Sequence, residues 1–268
     1  MQADALASRA LGLDADLYEA HMARGDARRM LDCDWAAAES SYRRAIALNP
    51  SYEAAYRGYA MLLSATGRHG DAIRESERAC ELDPLCLTVG STAAWIRYAA
   101  GDYEGALGRC RHVVDMDPEF LPSRLLLGAA SLQAGRPADS IAELEAAMMV
   151  ADADPMLLCW LAHARAAKGS RREAEALIER ARGLARERHV SAYHLALAYV
   201  GVGDHDAAFT ALDQASIDRD PARLMLAVEP RFEPLRGDPR YDALLEAMGL
   251  AARGPLVARL PDWRVDRL

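Results

Sequence analysis

Apolar residues recur at spacings of three and four along most of the chain, which is the period of an amphipathic α-helix. One such segment carries Tyr56, Tyr59 and Leu63 on one face and is followed by Gly67. A second amphipathic segment then runs to Pro84. Because Gly supplies the positive φ that ends a helix and Pro cannot continue one, the pattern predicts a helix, a tight turn and a second helix.

This two-helix pattern repeats with a period of 34 residues. The prolines that end the second segment keep this step, at Pro50, Pro84 and Pro118. The glycines of the turn keep it as well, at Gly67, Gly101, Gly135, Gly169 and Gly203. Because the prolines and the turn glycines share one 34-residue period, the sequence predicts stacked copies of a single helical hairpin.

Small residues recur in the same register. In the first helix of each unit they are Ala60, Ala94, Gly128, Ala162 and Ala196. In the second helix they are Ala72, Ala106, Ser140, Ala174 and Ala208. A small side chain lets two helix backbones approach closely where they cross, so these positions predict antiparallel helix pairs.

The period, the small positions and the terminal Pro together resemble the tetratricopeptide repeat. The resemblance extends roughly from Asp4 to Ala215 and implies an all-α, right-handed superhelical solenoid of antiparallel hairpins that binds proteins. Two units depart from the pattern, because Asp152 and Arg186 stand where the terminal Pro is expected. We therefore expect irregular packing at these two places.

A narrower resemblance concerns the run from Asp32 to Trp35 and the run from Pro230 to Leu250. Both are similar to the tetratricopeptide region attached to bacterial winged-helix regulators, nucleotide cyclases and Ser/Thr kinases. Such regions do regulatory or interaction work, so the resemblance implies a bacterial, non-catalytic module.

The chain divides into four expected parts. Residues 1–18 form an N-terminal half-repeat or capping helix, and residues 19–220 form an array of about six hairpins. Residues 221–250 form a C-terminal cap, in which Asp238 suits an N-cap and Gly249 suits a C-terminal turn. We expect this cap to seal the last hairpin behind Leu212 and Ala215, because a terminal repeat otherwise exposes its stacking face. Residues 251–268 are a tail.

Charge and composition exclude several kinds of partner. The net charge of −8 argues against direct nucleic-acid binding, which requires clustered cations. No stretch approaches the roughly 20 apolar residues that span a membrane, and no signal sequence is visible, so a cytoplasmic location is expected. The five Cys are never spaced as CxxC, which is typical of reduced thiols. The oligomeric state stays open.

We expect neither an enzyme nor a metal or cofactor site. The sequence lacks GxGxxG, GxxxxGK[ST] and GxSxG, so phosphate cradles and nucleophile elbows are missing. His189 and His194 are five residues apart and point to different helix faces, so they make no zinc pattern. The acid pairs Asp14/Asp16 and Asp152/Asp154 fall at hairpin ends, where Asp commonly accepts backbone hydrogen bonds.

The concave groove is the candidate site, because the first helices of stacked hairpins line it. The residues expected to face a protein or peptide partner there are Arg57, Met61, Ser91, Trp95, Tyr98, Leu125, Gln133, His163, Tyr193 and Leu197. The predicted function is a scaffold that holds a protein or peptide segment in this groove. The alternative is a ligand-sensing regulatory domain that controls a linked or partner effector.

Overall fold

A computed structural model describes residues 2–151, 154–184 and 188–250 of the 268-residue chain. Asp152, Arg186 and the tail 251–268 lie outside the described residues. Across the described ranges the fold is all-α and contains no β-strand. The all-α prediction is therefore confirmed.

The described residues contain fourteen α-helices. They are α1 (Gln2–Leu13), α2 (Tyr18–Ala27), α3 (Trp35–Leu48), α4 (Glu53–Ala65), α5 (His69–Leu82), α6 (Leu87–Ala99), α7 (Tyr103–Met116), α8 (Leu121–Gln133), α9 (Pro137–Val150), α10 (Pro155–Ala167), α11 (Arg171–Gly183), α12 (Ala192–Gly201), α13 (His205–Ile217) and α14 (Pro239–Ala247). A π-helical turn, Arg28–Asp32, extends α2, and two 3₁₀ helices, Pro221–Val228 and Pro230–Leu235, precede α14.

The helices from α2 to α13 pair consecutively into six antiparallel hairpins within the described residues. The small residues of the 34-residue register lie at the crossings and are fully buried, as at Ala72 and Ala106. The first helix of each hairpin also contacts the first helix of the next, so these helices line one face of the array. The predicted hairpin solenoid is confirmed.

The five turn glycines all adopt positive φ, between 73° and 93°, as the register predicts. The same register continues one step in each direction, to Cys33 with φ 52° and to Gly237 with φ 92°. A helix N-cap follows both turns, because the side chains of Asp34 and Asp238 accept hydrogen bonds from backbone N–H groups. The repeat register therefore extends through the C-terminal part of the chain.

Residues 221–250, here called the C-terminal segment, form a degenerate seventh unit. The two 3₁₀ helices stand in the place of its first helix, and α14 stands in the place of its second. Pro230 and Pro234 prevent a continuous α-helix from Pro221 to Leu235, because Pro lacks the backbone N–H.

The C-terminal segment lies across the concave face and does more than cover the last hairpin. Its first 3₁₀ helix contacts both α4 and α13, its second contacts α12, and α14 contacts α13. The guanidinium of Arg223 lies 3.7 Å from the Sγ of Cys33. Leu212 and Ala215 share one hydrophobic cluster with this segment, and Trp35 and Met61 near the start of the array pack against the same cluster. The segment thus joins early and late hairpins.

Packing is irregular between the fifth and sixth hairpins. Helix α12 contacts α10 extensively, whereas it contacts α11 little. A gap of about 790 Å³ opens beside α11, lined among others by Ile178, Arg182, Tyr199 and Ala211. The irregularity occurs next to one of the two places where the repeat lacks its Pro.

Candidate binding pocket on the concave face

The residues predicted to line the groove divide into two sets. Five are buried, namely Tyr98, Leu125, His163, Tyr193 and Leu197. Five keep partial exposure, namely Arg57, Met61, Ser91, Trp95 and Gln133. Only the second set offers a partner some accessible surface, and most of each of these side chains is covered as well.

The C-terminal segment and neighbouring helices explain the burial. The Tyr98 hydroxyl donates a hydrogen bond of 2.7 Å to Glu229 Oε1. The Tyr193 ring packs edge-on against Phe232, with ring centroids 5.3 Å apart. The Nδ1 of His163 donates to the backbone carbonyl of Leu197 at 2.8 Å. These side chains therefore hold the fold together as well as facing the concave side.

An open pocket of about 360 Å³ remains beside the C-terminal segment. Four of the predicted groove residues line it, namely Ser91, Trp95, Leu125 and Tyr193. Other walls come from α8, α10, α12 and the C-terminal segment and include Leu121, Leu126, Met156, Trp160, His194 and Met225. The structure thus brings residues from four hairpins and the degenerate unit around one apolar space.

A buried ion pair forms part of the pocket wall. Glu229 is fully buried and Arg231 is 3% exposed. The carboxylate accepts hydrogen bonds from Arg231 Nε at 2.8 Å and from Nη2 at 3.0 Å. Burial alone would raise the pKa of the Glu229 carboxyl, but the adjacent Arg231 guanidinium holds it below its ordinary value. The pair is therefore charged, and each charge neutralises the other.

An aromatic ring of the pocket wall stacks on the arginine of this ion pair. The guanidinium carbon of Arg231 lies 3.9 Å from the centroid of the Trp160 ring. His194 lies next to Trp160 and Tyr193, with ring centroids 6.0 Å and 5.5 Å away. A cation over an indole face is an attractive arrangement, so Trp160 and Arg231 fix each other's position.

The imidazoles of His163 and His194 are neutral at physiological pH. Burial, and secondarily the charge of Arg231, lowers the pKa of both His163 and His194 to about 4. With the ion pair internally neutralised, the pocket presents no free charge from these four groups.

Four polar side-chain atoms of the pocket residues are buried without a hydrogen-bond partner among the described residues. They are Trp95 Nε1, Trp160 Nε1, Tyr193 Oη and His194 Nδ1. Most buried polar groups in proteins are paired, because an unpaired one loses its bonds to water and gains none. Their clustering around one pocket therefore needs a physical explanation.

Sequence reasoning missed the ion pair and the role of Trp160. Neither Glu229 nor Arg231 lies in the predicted array, and Trp160 lies one position from the groove register. The available signal was Gly237, which keeps the 34-residue step and marks residues 221–235 as a first-helix position.

No cluster of three or more metal-ligating side chains occurs among the described residues. Within the same ranges, no helix is long and apolar enough to cross a membrane.

Comparison with known proteins identifies the repeat. A family model described as tetratricopeptide repeat matches residues 97–158. A small glutamine-rich tetratricopeptide repeat-containing protein 2 from Mycosarcoma maydis is 27% identical over 106 residues. That match covers 39% of this chain and 30% of the relative, so the chain spans less than a third of the relative's length.

Solved structures share the fold at low sequence identity. PilW, a type IV pilus biogenesis factor, aligns with TM-score 0.60 at 17% identity, covering 70% of this chain and 87% of PilW. PilF from Pseudomonas aeruginosa aligns with TM-score 0.55 at 18% identity, covering 88% of this chain and 99% of PilF. A thermophilic tetratricopeptide-repeat protein of Thermus thermophilus aligns with TM-score 0.57 at 19% identity, covering 63% of this chain and 92% of that protein. These likenesses support the fold.

Proposed function

Because this chain is a tetratricopeptide-repeat protein, we propose that it holds a segment of a protein partner against the open part of its concave face. The fold is that of protein–protein interaction modules, which are generally non-catalytic. The residues proposed to contact the partner are those of the predicted groove that keep partial exposure, namely Arg57, Met61, Ser91, Trp95 and Gln133.

One observation carries this proposal. The concave face already accommodates a segment of the chain itself, residues 221–235, which forms two 3₁₀ helices and no α-helix. That segment is anchored by an aromatic contact, Phe232 on Tyr193, and by a buried polar contact, Glu229 with Tyr98. A face that holds one segment that is not α-helical in this way is suited to hold another beside it.

The open pocket next to Trp95 is the proposed anchor point for the partner. Trp95 is partly exposed, and the pocket walls around it are mainly apolar. Aromatic residues at the centre of an interface carry a large share of binding energy. We therefore expect a partner segment that places an apolar side chain in this pocket.

The test begins with capture of partners from a cell extract and their identification by mass spectrometry. Binding of the purified partner is then measured by calorimetry with wild type and Trp95→Ala. We expect Trp95→Ala to weaken binding by more than about 2 kcal/mol, because truncation of a central aromatic is costly. Tyr193 is a poor probe here, because its ring packs in the core and Tyr193→Ala would disturb folding.

The matched control is Tyr199→Ala. Tyr199 is also partly exposed and aromatic, but it lines the gap beside α11. Its replacement should leave partner affinity nearly unchanged. An unchanged affinity in a folded Trp95→Ala variant, by circular dichroism, would remove the concave pocket from the proposed interface.

A second candidate function is a ligand-sensing regulatory domain that controls an effector such as a transcription regulator, a cyclase or a kinase. The observation that favours it is the group of four unpaired polar atoms around the pocket. The C-terminal segment forms one wall of this pocket and contacts early and late hairpins. A ligand in the pocket would therefore touch the part of the chain that links both ends of the array.

A further inference from the structure

We propose that the concave pocket is a binding site for a small, uncharged, mainly apolar molecule that carries a hydrogen-bond acceptor. This proposal rests on the second candidate function and names its ligand class. The size of the pocket, its lining, its polar atoms and its charge each support it.

The size and position of the pocket favour a compact molecule. A volume of about 360 Å³ lies in the range of small-molecule sites. The C-terminal segment occupies the concave face beside the pocket, and Ala222 and Met225 form part of the wall. The C-terminal segment therefore closes one side of the pocket, which gives it the dimensions of a compact ligand.

The lining favours an apolar molecule. Leu121 and Leu125 come from α8, Met156 from α10 and Met225 from the C-terminal segment. Ligand sites are typically apolar with a few convergent polar groups. Burial of an apolar ligand here would remove its surface and that of these side chains from water, which favours binding.

The polar atoms favour a ligand with an acceptor. The indole N–H groups of Trp95 and Trp160 are donors only, and the Tyr193 hydroxyl can donate. These atoms are buried in or behind the pocket wall and find no partner among the described residues. A small side-chain rotation that brings one of them to a ligand oxygen would satisfy a group that is otherwise unpaired.

The charges favour an uncharged ligand. The Arg231 guanidinium is engaged by both carboxylate oxygens of Glu229, so neither charge is free. The imidazoles of His163 and His194 are neutral at physiological pH. A charged ligand would lose its hydration without gaining a counter-charge in this pocket, which is costly.

The experiment uses three probes with one ring system: indane, 1-indanone and 1-aminoindane. Binding to the full chain at neutral pH is measured by ligand-observed NMR and by fluorescence of the wall tryptophans. We expect 1-indanone to bind at least about fivefold more tightly than indane, because only the ketone offers an acceptor. The cationic 1-aminoindane should bind more weakly than indane. Equal affinity for all three probes, or no binding of any, would overturn the proposal.

Two variants locate the probe. Tyr193→Phe keeps the ring on Phe232 and removes the hydroxyl, while Ser91→Trp fills the pocket. We expect Tyr193→Phe to weaken the binding of 1-indanone by about threefold or more, while the affinity for indane changes little. Ser91→Trp should abolish the binding of both 1-indanone and indane. Tyr199→Phe, outside the pocket, is the control and should change neither affinity.

The results separate this proposal from the partner-binding proposal. If Ser91→Trp does not fold, Tyr193→Phe still decides, because equal weakening of ketone and hydrocarbon would contradict a donor role. If 1-indanone binds as expected and Trp95→Ala leaves partner affinity unchanged, the ligand site stands and the partner interface is elsewhere. If partner binding depends on Trp95 and the three probes bind with equal affinity, the ligand proposal is wrong and the partner-binding proposal stands.

Discussion

The indole Nε1 of Trp35, at the start of α3, donates a hydrogen bond of 2.7 Å to the backbone carbonyl of Met248, just after α14. The two residues lie 213 positions apart. Trp35 belongs to the first hairpin, and Met248 follows the second helix of the degenerate unit. The bond therefore connects the two ends of the repeat array across its concave side.

Trp35→Phe should loosen the C-terminal segment. The substitution keeps an aromatic ring but leaves the Met248 carbonyl without its donor, which we expect to cost about 1–2 kcal/mol. Hydrogen exchange followed by mass spectrometry should show faster exchange in residues 239–250. Exchange in α8 and α9, far from the contact in sequence, serves as the internal control. Unchanged protection of residues 239–250 would show that the bond contributes nothing to docking.

Glu229→Gln should strongly destabilise the fold. It leaves the Arg231 guanidinium buried with no counter-charge, and breaking a buried pair typically costs about 3–5 kcal/mol. Urea unfolding monitored by circular dichroism measures the change. The control is Arg171→Ala, which removes an exposed pair with Glu175. Its effect should stay below about 1 kcal/mol, because exposed pairs contribute little. Similar losses in both variants would contradict the buried role of Glu229.

Acid should destabilise the protein partly through His163. Its pKa is about 4 in the folded chain, against an ordinary value of 6.5. Between these values the unfolded chain binds the proton and the folded chain does not, so stability falls as the pH is lowered through this window. Each group of this kind changes the free energy of unfolding by up to about 1.4 kcal/mol per pH unit within the window.

The variant His163→Asn tests this contribution, because an amide can still donate to the Leu197 carbonyl. Urea unfolding is measured at a series of pH values from mildly alkaline to acidic. The free energy of unfolding should fall less steeply with decreasing pH for the variant than for wild type. The two curves should run parallel above neutral pH, where His163 is unprotonated in both states. Parallel curves in the acid window as well would contradict a lowered pKa.

Two glycine-to-alanine substitutions should change the stability of the fold in opposite directions. Gly135 has φ 77° at a hairpin turn, and a Cβ added there would meet nothing within 4 Å. Gly135→Ala should therefore destabilise by about 1–2 kcal/mol through backbone strain alone. Gly108 lies inside α7 with equally open space, so Gly108→Ala should stabilise by about 0.5–1 kcal/mol. Thermal unfolding measures both, and equal signs would contradict the assigned turn geometry.

The repeat was predictable from the sequence because its determinants are local. Only Gly adopts positive φ without cost, and only a small residue fits at a helix crossing, so Gly135 and Ala106 reveal their roles by residue type. Stacking of identical units then follows from the period. The positions of Gly67 to Gly203 and of the buried small residues required no knowledge of distant contacts.

The site was less predictable because burial depends on what covers a residue. Tyr98 and Tyr193 have the correct helical register for the concave face, but the C-terminal segment contacts both of them. The 3₁₀ helices that do this follow no helical period, and their path depends on contacts with α4 and α12. The helical register therefore predicted which residues face the groove, but it did not predict how much of each residue is exposed.

The contact between the ends of the array has a consequence for how the protein unfolds. In an open repeat array each unit touches only its neighbours, so terminal units can fray while the middle stays folded. Here the first hairpin also contacts residues of the last unit, through Trp35 and through Cys33 with Arg223. Fraying of either end breaks contacts at the other. The two ends should therefore unfold together, and a substitution at one terminus should lower hydrogen-exchange protection at the opposite terminus.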